Sequence, residues 1–316
     1  MNLYSLVFGV KNFNGQLERV LLKSKAGGSS MKFFTPLRYP GGKGKLSYYV
    51  KSIIESNNLL DGHYVEPFAG GAGVALELLF HEYVNQIHIN DLDPAVYAFW
   101  SACVNKTEEL CKLISDTPVT IDTWERQREL LRNEDNSVET LELAFATFFL
   151  NRTNRSGILK AGVIGGRAQA GKWKLDVRFN KEDLIKRIEM IANYRNRINI
   201  YNLDTVDLLN TLPQTLPKNT LVYLDPPYYV KGQGLYRNFY EHKDHVEIKS
   251  ILDTITEIPW IVSYDNVGQI SNIYSDYRTK VFDLQYTAQT KRVASEIMIF
   301  SDSVSIPDTQ LGKKSA

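Results

Sequence analysis

The chain has 316 residues, of which 43% are hydrophobic and 23% charged, and a formal net charge of +1. That balance excludes intrinsic disorder as the main state, and 20 Gly and 11 Pro exclude collagen-like and low-complexity classes. Taken alone, +1 argues against a nucleic-acid binder, which usually carries a basic excess.

The length permits one large domain or two smaller ones. Cys103 and Cys111 fall in stretches of helical pattern and lack the short spacing of a metal knuckle. A reducing cytoplasm fits them, and no metal is expected. Met1 to Val10 is apolar but has no basic residue before it, which argues against a signal peptide. The longest apolar run, Leu141 to Leu150, is too short to span a bilayer and carries Glu142. No membrane association is expected.

Residues 1–31 end in the linker-like string Ala26-Gly27-Gly28-Ser29-Ser30 and read as an N-terminal appendage. From Lys32 the pattern becomes α/β. Gly44 to Ser56 predicts a helix and His63 to Glu66 a short strand. A glycine turn follows, then a helix from about Val74 to Tyr83. Gln86 to Asn90 predicts a strand, and Asp93-Pro94 opens the next helix. Thr120 to Asn133 and Ser137 to Asn151 carry apolar residues at helical spacing. Strands return at Ile198 to Tyr201, Leu221 to Leu224 and Ile261 to Ser263. Thr279 to Tyr286 and Ala294 to Phe300 predict a terminal antiparallel hairpin. The expected fold is α/β: a doubly wound Rossmann-like sheet with that hairpin and a mostly helical insertion. The expected division is a catalytic domain of residues 32–105 and 201–300, an insertion at 106–200 and a tail at 301–316.

Two places carry chemistry. Glu66-Pro67-Phe68-Ala69-Gly70-Gly71-Ala72-Gly73-Val74 follows a strand and opens a helix, where glycines let backbone N–H groups approach a ligand. Asp91 ends the next strand, where an acid can accept hydrogen bonds from a ribose. Leu76 stands where a dinucleotide fingerprint wants a third glycine, which argues against a nicotinamide cofactor. A structural strand-to-helix turn with a capping acid is the other reading. Leu221-Val222-Tyr223-Leu224-Asp225-Pro226-Pro227-Tyr228 runs an apolar strand into a rigid turn. Its prolines remove two N–H donors and leave a carboxylate, carbonyls and an aromatic ring at a strand's C-terminal edge. Such an acceptor-rich pocket suits an exocyclic amino group, and the ring suits a planar base taken from its stack.

Together these residues resemble the Dam-like, alpha-class DNA adenine methyltransferases, which use S-adenosylmethionine. The resemblance runs from about Lys32 to Phe300. Four pieces carry it in order: Pro36-Leu37-Arg38-Tyr39-Pro40-Gly41-Gly42-Lys43, the glycine turn, Asn90-Asp91, and Asp225-Pro226-Pro227-Tyr228. Phe149 to Thr153, Tyr240 to His245 and Ser263-Tyr264-Asp265 support it. Two departures stand out. Tyr39 replaces an indole common in relatives, and Ala72 occupies the second glycine of a strict F-x-G-x-G.

The resemblance implies transfer of a methyl group to the amino nitrogen of a flipped adenine in double-stranded DNA. Asp225 and the Pro226 carbonyl would accept the amino hydrogens, Pro227 would stiffen the turn and Tyr228 would stack on the base. The cofactor would meet Tyr39, Lys43, Phe68, Gly70, Gly71, Asp91 and Asp225, with Lys43 at the methionine carboxylate. Glu66 would receive the methionine ammonium or cap the following helix. Residues 106–200 would be the target-recognition domain. A cognate restriction endonuclease is a possible partner. The alternatives are a catalytically silent DNA-binding protein of the same fold, or a methyltransferase for RNA adenine or cytosine.

Residues 151–178 hold Arg152, Arg155, Lys160, Arg167, Lys172, Lys174 and Arg178 against Asp176 alone. This Gly-rich basic segment reads as a hairpin or loop laid on DNA, or as a solvated surface loop. The aromatics Tyr236, Phe239 and Tyr240 either line the base pocket or belong to the core. His242 and His245 read as helix-start residues. Lys32, Arg38, Lys43, Lys45 and Lys51 form a second basic run without an acid. The near-neutral total is therefore an average over a basic side and an acidic remainder. DNA binding is expected to weaken steeply as salt rises, measured as the slope of log affinity against log salt.

Overall fold

The computed structural model describes residues 34–39, 43–132, 140–230, 240–286 and 292–312. The appendage, Pro40 to Gly42, Tyr236 and Phe239 lie outside them. Among the described residues, no helix is long and apolar enough to cross a membrane.

One seven-stranded sheet organises the chain from Phe34 onward, with strand order β3-β2-β1-β4-β5-β7-β6. Its strands are β1 (Gly62–Glu66), β2 (Val84–Asn90), β3 (Ile198–Tyr201), β4 (Thr220–Leu224), β5 (Trp260–Asp265), β6 (Arg278–Tyr286) and β7 (Arg292–Phe300). The first five are parallel. The last two form the expected antiparallel hairpin, with β7 inserted between β5 and β6. All five residues of β4 are buried, as a central strand covered on both faces requires. β1 and β4 are neighbours, with Tyr64 opposite Leu221. The strand order reverses between them, and ligands bind at the C-terminal edge of that crevice.

Helices cover the sheet. In α1 (Ser47–Ser56), Tyr49, Val50, Ile53 and Ile54 make one buried stripe. α2 (Gly73–Phe80) ends short of the expected Tyr83, because Glu82 turns the chain into β2 through a left-handed φ of +57°. α3 (Pro94–Asn105) starts with proline in its first turn. The Asp93 carboxylate caps it, accepting the Ala95 N–H at 3.0 Å.

The stretch between β2 and β3 is helical, as expected: α4 (Thr107–Asp116), α5 (Ile121–Arg132), α6 (Thr140–Thr153) and α7 (Lys181–Ala192). Their apolar faces join the core of α3. Phe99 of α3 stacks on Phe148 of α6 with centroids 5.8 Å apart, and Phe179 packs on both Phe148 and Phe149. The Gly-rich segment after α6 is a loop. Its pairing is a single bridge, Asn154 to Val163, flanked by short 3-10 turns. Three further helices follow among the described residues: α8 (Thr205–Thr211), α9 (His242–Thr254), which opens with a Glu241/Asp244 capping box, and the short α10 (Gly268–Ile273).

Candidate active site

Three strand ends converge. β1 delivers the glycine turn, β2 delivers Asp91, and β4 delivers Asp225.

Gly70 has φ +47°, and a Cβ there would sit 2.6 Å from the Tyr39 ring, so only glycine fits. The Gly70 N–H donates to Asp91 Oδ2 at 2.9 Å, and the Gly70 carbonyl accepts the Trp100 indole N–H at 2.9 Å. Ala72, at the missing glycine, also adopts a left-handed conformation, φ +46°. For an L-residue that costs about 1–2 kcal/mol.

Asp91 Oδ1 accepts the Asp93 N–H at 2.9 Å. Each carboxylate oxygen thus holds one backbone donor and keeps acceptor capacity for a second. Burial pushes this carboxyl up to about 7, partly offset by those N–H groups. Phe68 packs edge-on against Tyr240 at 5.8 Å. Leu92 and Leu203, large apolar side chains exposed at the ends of β2 and β3, flank the same edge. Asp204 caps α8 through Oδ1, which accepts the Val206 N–H at 2.8 Å, and lies beside Tyr240.

Glu66 is buried, and its Oε2 accepts the Ala75 N–H at 3.2 Å in the first turn of α2. The capping geometry is therefore present. Burial drives this carboxyl up to about 8. Between the unfolded carboxyl value near 4.3 and about 8, the native state binds more protons than the unfolded one. Stability from this group therefore falls as pH rises through that window. Glu66→Gln keeps an acceptor oxygen and removes the ionisation. Its Tm is expected to exceed wild type by several degrees at pH 9 and to match it near pH 5, read by thermal denaturation.

The catalytic corner is built around Lys43, which is 5% exposed. Its ammonium lies 3.0 Å from Asp225 Oδ1 and 3.6 Å from Oε2 of the buried Glu296, and donates to the Tyr228 hydroxyl. It also faces the Tyr228 ring, 4.7 Å from the centroid. Sequence reasoning put Lys43 at a ligand carboxylate; here it sits between two protein carboxylates. Asp225 Oδ1 accepts a second bond, from Ser263 Oγ at 2.8 Å, and Ser263 Oγ meets the Tyr223 hydroxyl at 3.0 Å. Both contacts fall on one oxygen. Pro226 is buried and Pro227 partly buried. Beyond them Asp265 accepts the Tyr229 and Val230 N–H groups, one on each oxygen, at 3.0 and 3.1 Å. The chain leaving the turn is thus tied to β5.

Ser263, Asp265, Glu296 and Asp204 were missed as site residues. Ser263 and Asp265 stood in a noted motif, and Asp204 is an acid just past a strand. Glu296 gave only the sign of an acid within an apolar strand.

Of the basic residues, Arg155, Lys160, Arg167, Lys172 and Lys174 are exposed. Arg167 lies over the Trp124 ring and 3.5 Å from Glu125. Arg152 turns inward, donating to the Arg178 and Pro36 carbonyls, and burial with Arg38 and Arg187 nearby lowers its pKa to about 9. Asn151 exchanges hydrogen bonds with the Arg38 backbone at 2.7 and 2.8 Å, locking the opening motif to the end of α6. His245 is buried against the Tyr264 hydroxyl and the Tyr229 ring. Among the described residues, no three His, Cys, Asp or Glu side chains form a metal-binding group.

A doubly wound sheet with a glycine turn after β1 and an acid ending β2 is the frame of a Rossmann-like nucleotide-type ligand site. The family model for D12 class N6 adenine-specific DNA methyltransferases matches residues 39–288, and the chain belongs to that family. Type II methyltransferase M.MjaIII of Methanocaldococcus jannaschii is 24% identical over 208 residues, covering 61% of this chain and 68% of its own. Modification methylase StsI of Streptococcus sanguinis is 24% identical over 247 residues, covering 72% of this chain and 34% of its own. The solved rRNA methyltransferase aviRa of Streptomyces viridochromogenes is similar at a TM-score of 0.37 and 14% identity, over 84% of this chain and 86% of that one. The chain is a site-specific adenine DNA methyltransferase, and S-adenosylmethionine is its methyl donor.

Proposed function

We propose that Asp225 and Pro226 perform the chemistry by accepting the two hydrogens of the adenine amino group. The observation that carries this is the pinned carboxylate. Lys43 and Ser263 both hold Oδ1, which supports Oδ2 as the oxygen that meets the substrate. The amino lone pair of adenine is delocalised into its ring. Two acceptors on its hydrogens favour a pyramidal nitrogen and localise that pair. S-adenosylmethionine, when bound, supplies an electrophilic methyl group. The protein's part is positioning and electrostatics, and no covalent enzyme intermediate is needed. Tyr228 offers a ring face to the flipped base, and Pro227 stiffens the turn.

The cofactor site fits its ligand by its donors and acceptors. Asp91 has acceptor capacity for two ribose hydroxyls, and the Tyr39 side chain packs directly on Gly70 and Gly71 beside it. Phe68, Leu92 and Leu203 offer apolar walls, and Asp204 an acceptor. Hydroxyl donors favour ionised Asp91, whose carboxyl sits at about 7 without them. Cofactor binding is then expected to release a proton and to tighten about tenfold from pH 6 to 8. Calorimetry in two buffers of different ionisation enthalpy reads the proton. Asp91→Asn should weaken binding and flatten the pH dependence.

The helices of residues 106–200 and the basic loop at 151–178 serve target recognition, with Arg155, Lys160, Arg167, Lys172 and Lys174 facing duplex DNA and Arg152 bracing the loop. The protein acts in the cytoplasm, on chromosomal or incoming DNA. The curated relatives are named as a type II methyltransferase and a modification methylase. In keeping with them, a restriction endonuclease of the same site is the proposed partner. The test is transfer of labelled methyl to DNA, followed by methylation-sensitive long-read sequencing. Label on cytosine, or on RNA alone, would overturn the reading.

A further inference from the structure

The chain has four tryptophans. Trp100, Trp124 and Trp260 are each 1% exposed, whereas Trp173 is 60% exposed. A single exposed apolar side chain is ordinary, so exposure alone assigns nothing to Trp173. Trp173 lies between Lys172 and Lys174, and no acid occurs from Arg152 to Leu175.

The loop that carries it is built, not slack. The Gln169 amide donates to the Ile164 and Gly166 carbonyls at 2.8 and 2.6 Å, and its oxygen accepts the Leu175 N–H at 2.9 Å. Lys174 donates to the Gln169 carbonyl. The Gly171 N–H donates to the Gly165 carbonyl at 3.1 Å. Gly165 has φ +83°, and a Cβ there would lie 2.6 Å from the Trp173 carbonyl oxygen. Leu175 and Phe179, just beyond, are anchored in the core. The backbone is thus clamped on both sides of an outward-facing indole. Lys172 Nζ lies 5.5 Å from the indole centroid.

We propose that Trp173 is a base-stacking contact to the DNA substrate, with Lys172 and Lys174 on the phosphates that flank the stacked base. This rests on DNA being the substrate. An aromatic face takes any base opened from its stack, and its two lysines match the charge of the backbone on either side.

The test uses intrinsic fluorescence, because the other three indoles are buried. The full chain is titrated with unmethylated linear plasmid DNA and, separately, with heparin, a polyanion without bases. DNA is expected to quench the emission strongly, heparin to leave it nearly unchanged, and Trp173→Phe to lose the quenching. By fluorescence anisotropy, Trp173→Ala is expected to weaken DNA binding about tenfold and Trp173→Phe to recover most of it. Both variants should keep the wild-type Tm, since the side chain is exposed. Equal quenching by heparin, or unchanged DNA affinity in Trp173→Ala, overturns the proposal while DNA remains the substrate. If the wild-type chain binds no DNA, the DNA assignment falls and the proposal with it.

Discussion

Asp225→Ala is expected to lower methyl transfer about 10³-fold, with cofactor and DNA affinities changed only a few-fold. Removing one preorganised group that acts on the transition state costs about 10²–10³ in turnover, and Asp225 is also the charged member of the acceptor pair. The fold should survive, because Lys43 keeps Glu296 as a counter-charge. The sharper variant is Asp225→Asn. Lys43 and Ser263 both present donors to Oδ1. An asparagine must turn its carbonyl oxygen toward them, which places its NH₂ group where the adenine amino group arrives. Two donors then face each other. Asparagine should accordingly be no better than alanine despite matching aspartate in shape. Single-turnover transfer of labelled methyl measures this. An Asp225→Asn enzyme retaining more than a tenth of wild-type turnover would show that Oδ1 is not the pinned oxygen.

Much of this arrangement could be read from the residues, for a physical reason. Strand ends in a parallel sheet are marked locally. An apolar run stops at a glycine turn, an acid or a proline pair, as at Glu66 to Gly73, at Asp91 and at Asp225. The strand positions followed, and Ile198–Tyr201 matched in full. What escaped were pairings across the sheet. Glu296 lies on β7, which sits beside β5 only because the terminal hairpin inserts there. No local pattern reports that a buried acid on one strand faces a lysine at the chain's other end. Lys43 is the same case: the resemblance places it at the methionine carboxylate, and its protein neighbours Asp225 and Glu296 are distant in sequence. The hairpin-or-loop ambiguity of residues 151–178 resolved toward a loop because Gln169 side-chain bonds replace ladder bonds. That substitution has no periodicity to detect.

Lys43→Met is expected to separate the two roles a lysine at this place can have. In the native chain its ammonium serves both Asp225 and Glu296. Removing it leaves two acids in a dry corner, and stripping the partner from a buried charge costs about 3–5 kcal/mol. The corner relieves this by keeping a proton on Glu296, whose side chain is fully buried. An acid that holds its proton in the native state makes stability fall as pH rises, because the unfolded chain gives that proton up earlier. The Tm deficit of Lys43→Met against wild type, without cofactor, should therefore be small near pH 5 and grow toward pH 8. Turnover should fall about 10²-fold, because Asp225 Oδ1 loses one of the two donors that aim its partner oxygen. If Lys43 instead served only the methionine carboxylate, the cofactor-free Tm would not depend on it in this pH-linked way. The loss would then appear in cofactor affinity alone. Thermal denaturation at two pH values, set beside cofactor calorimetry, distinguishes a lysine that holds the catalytic carboxylate from one that holds the ligand.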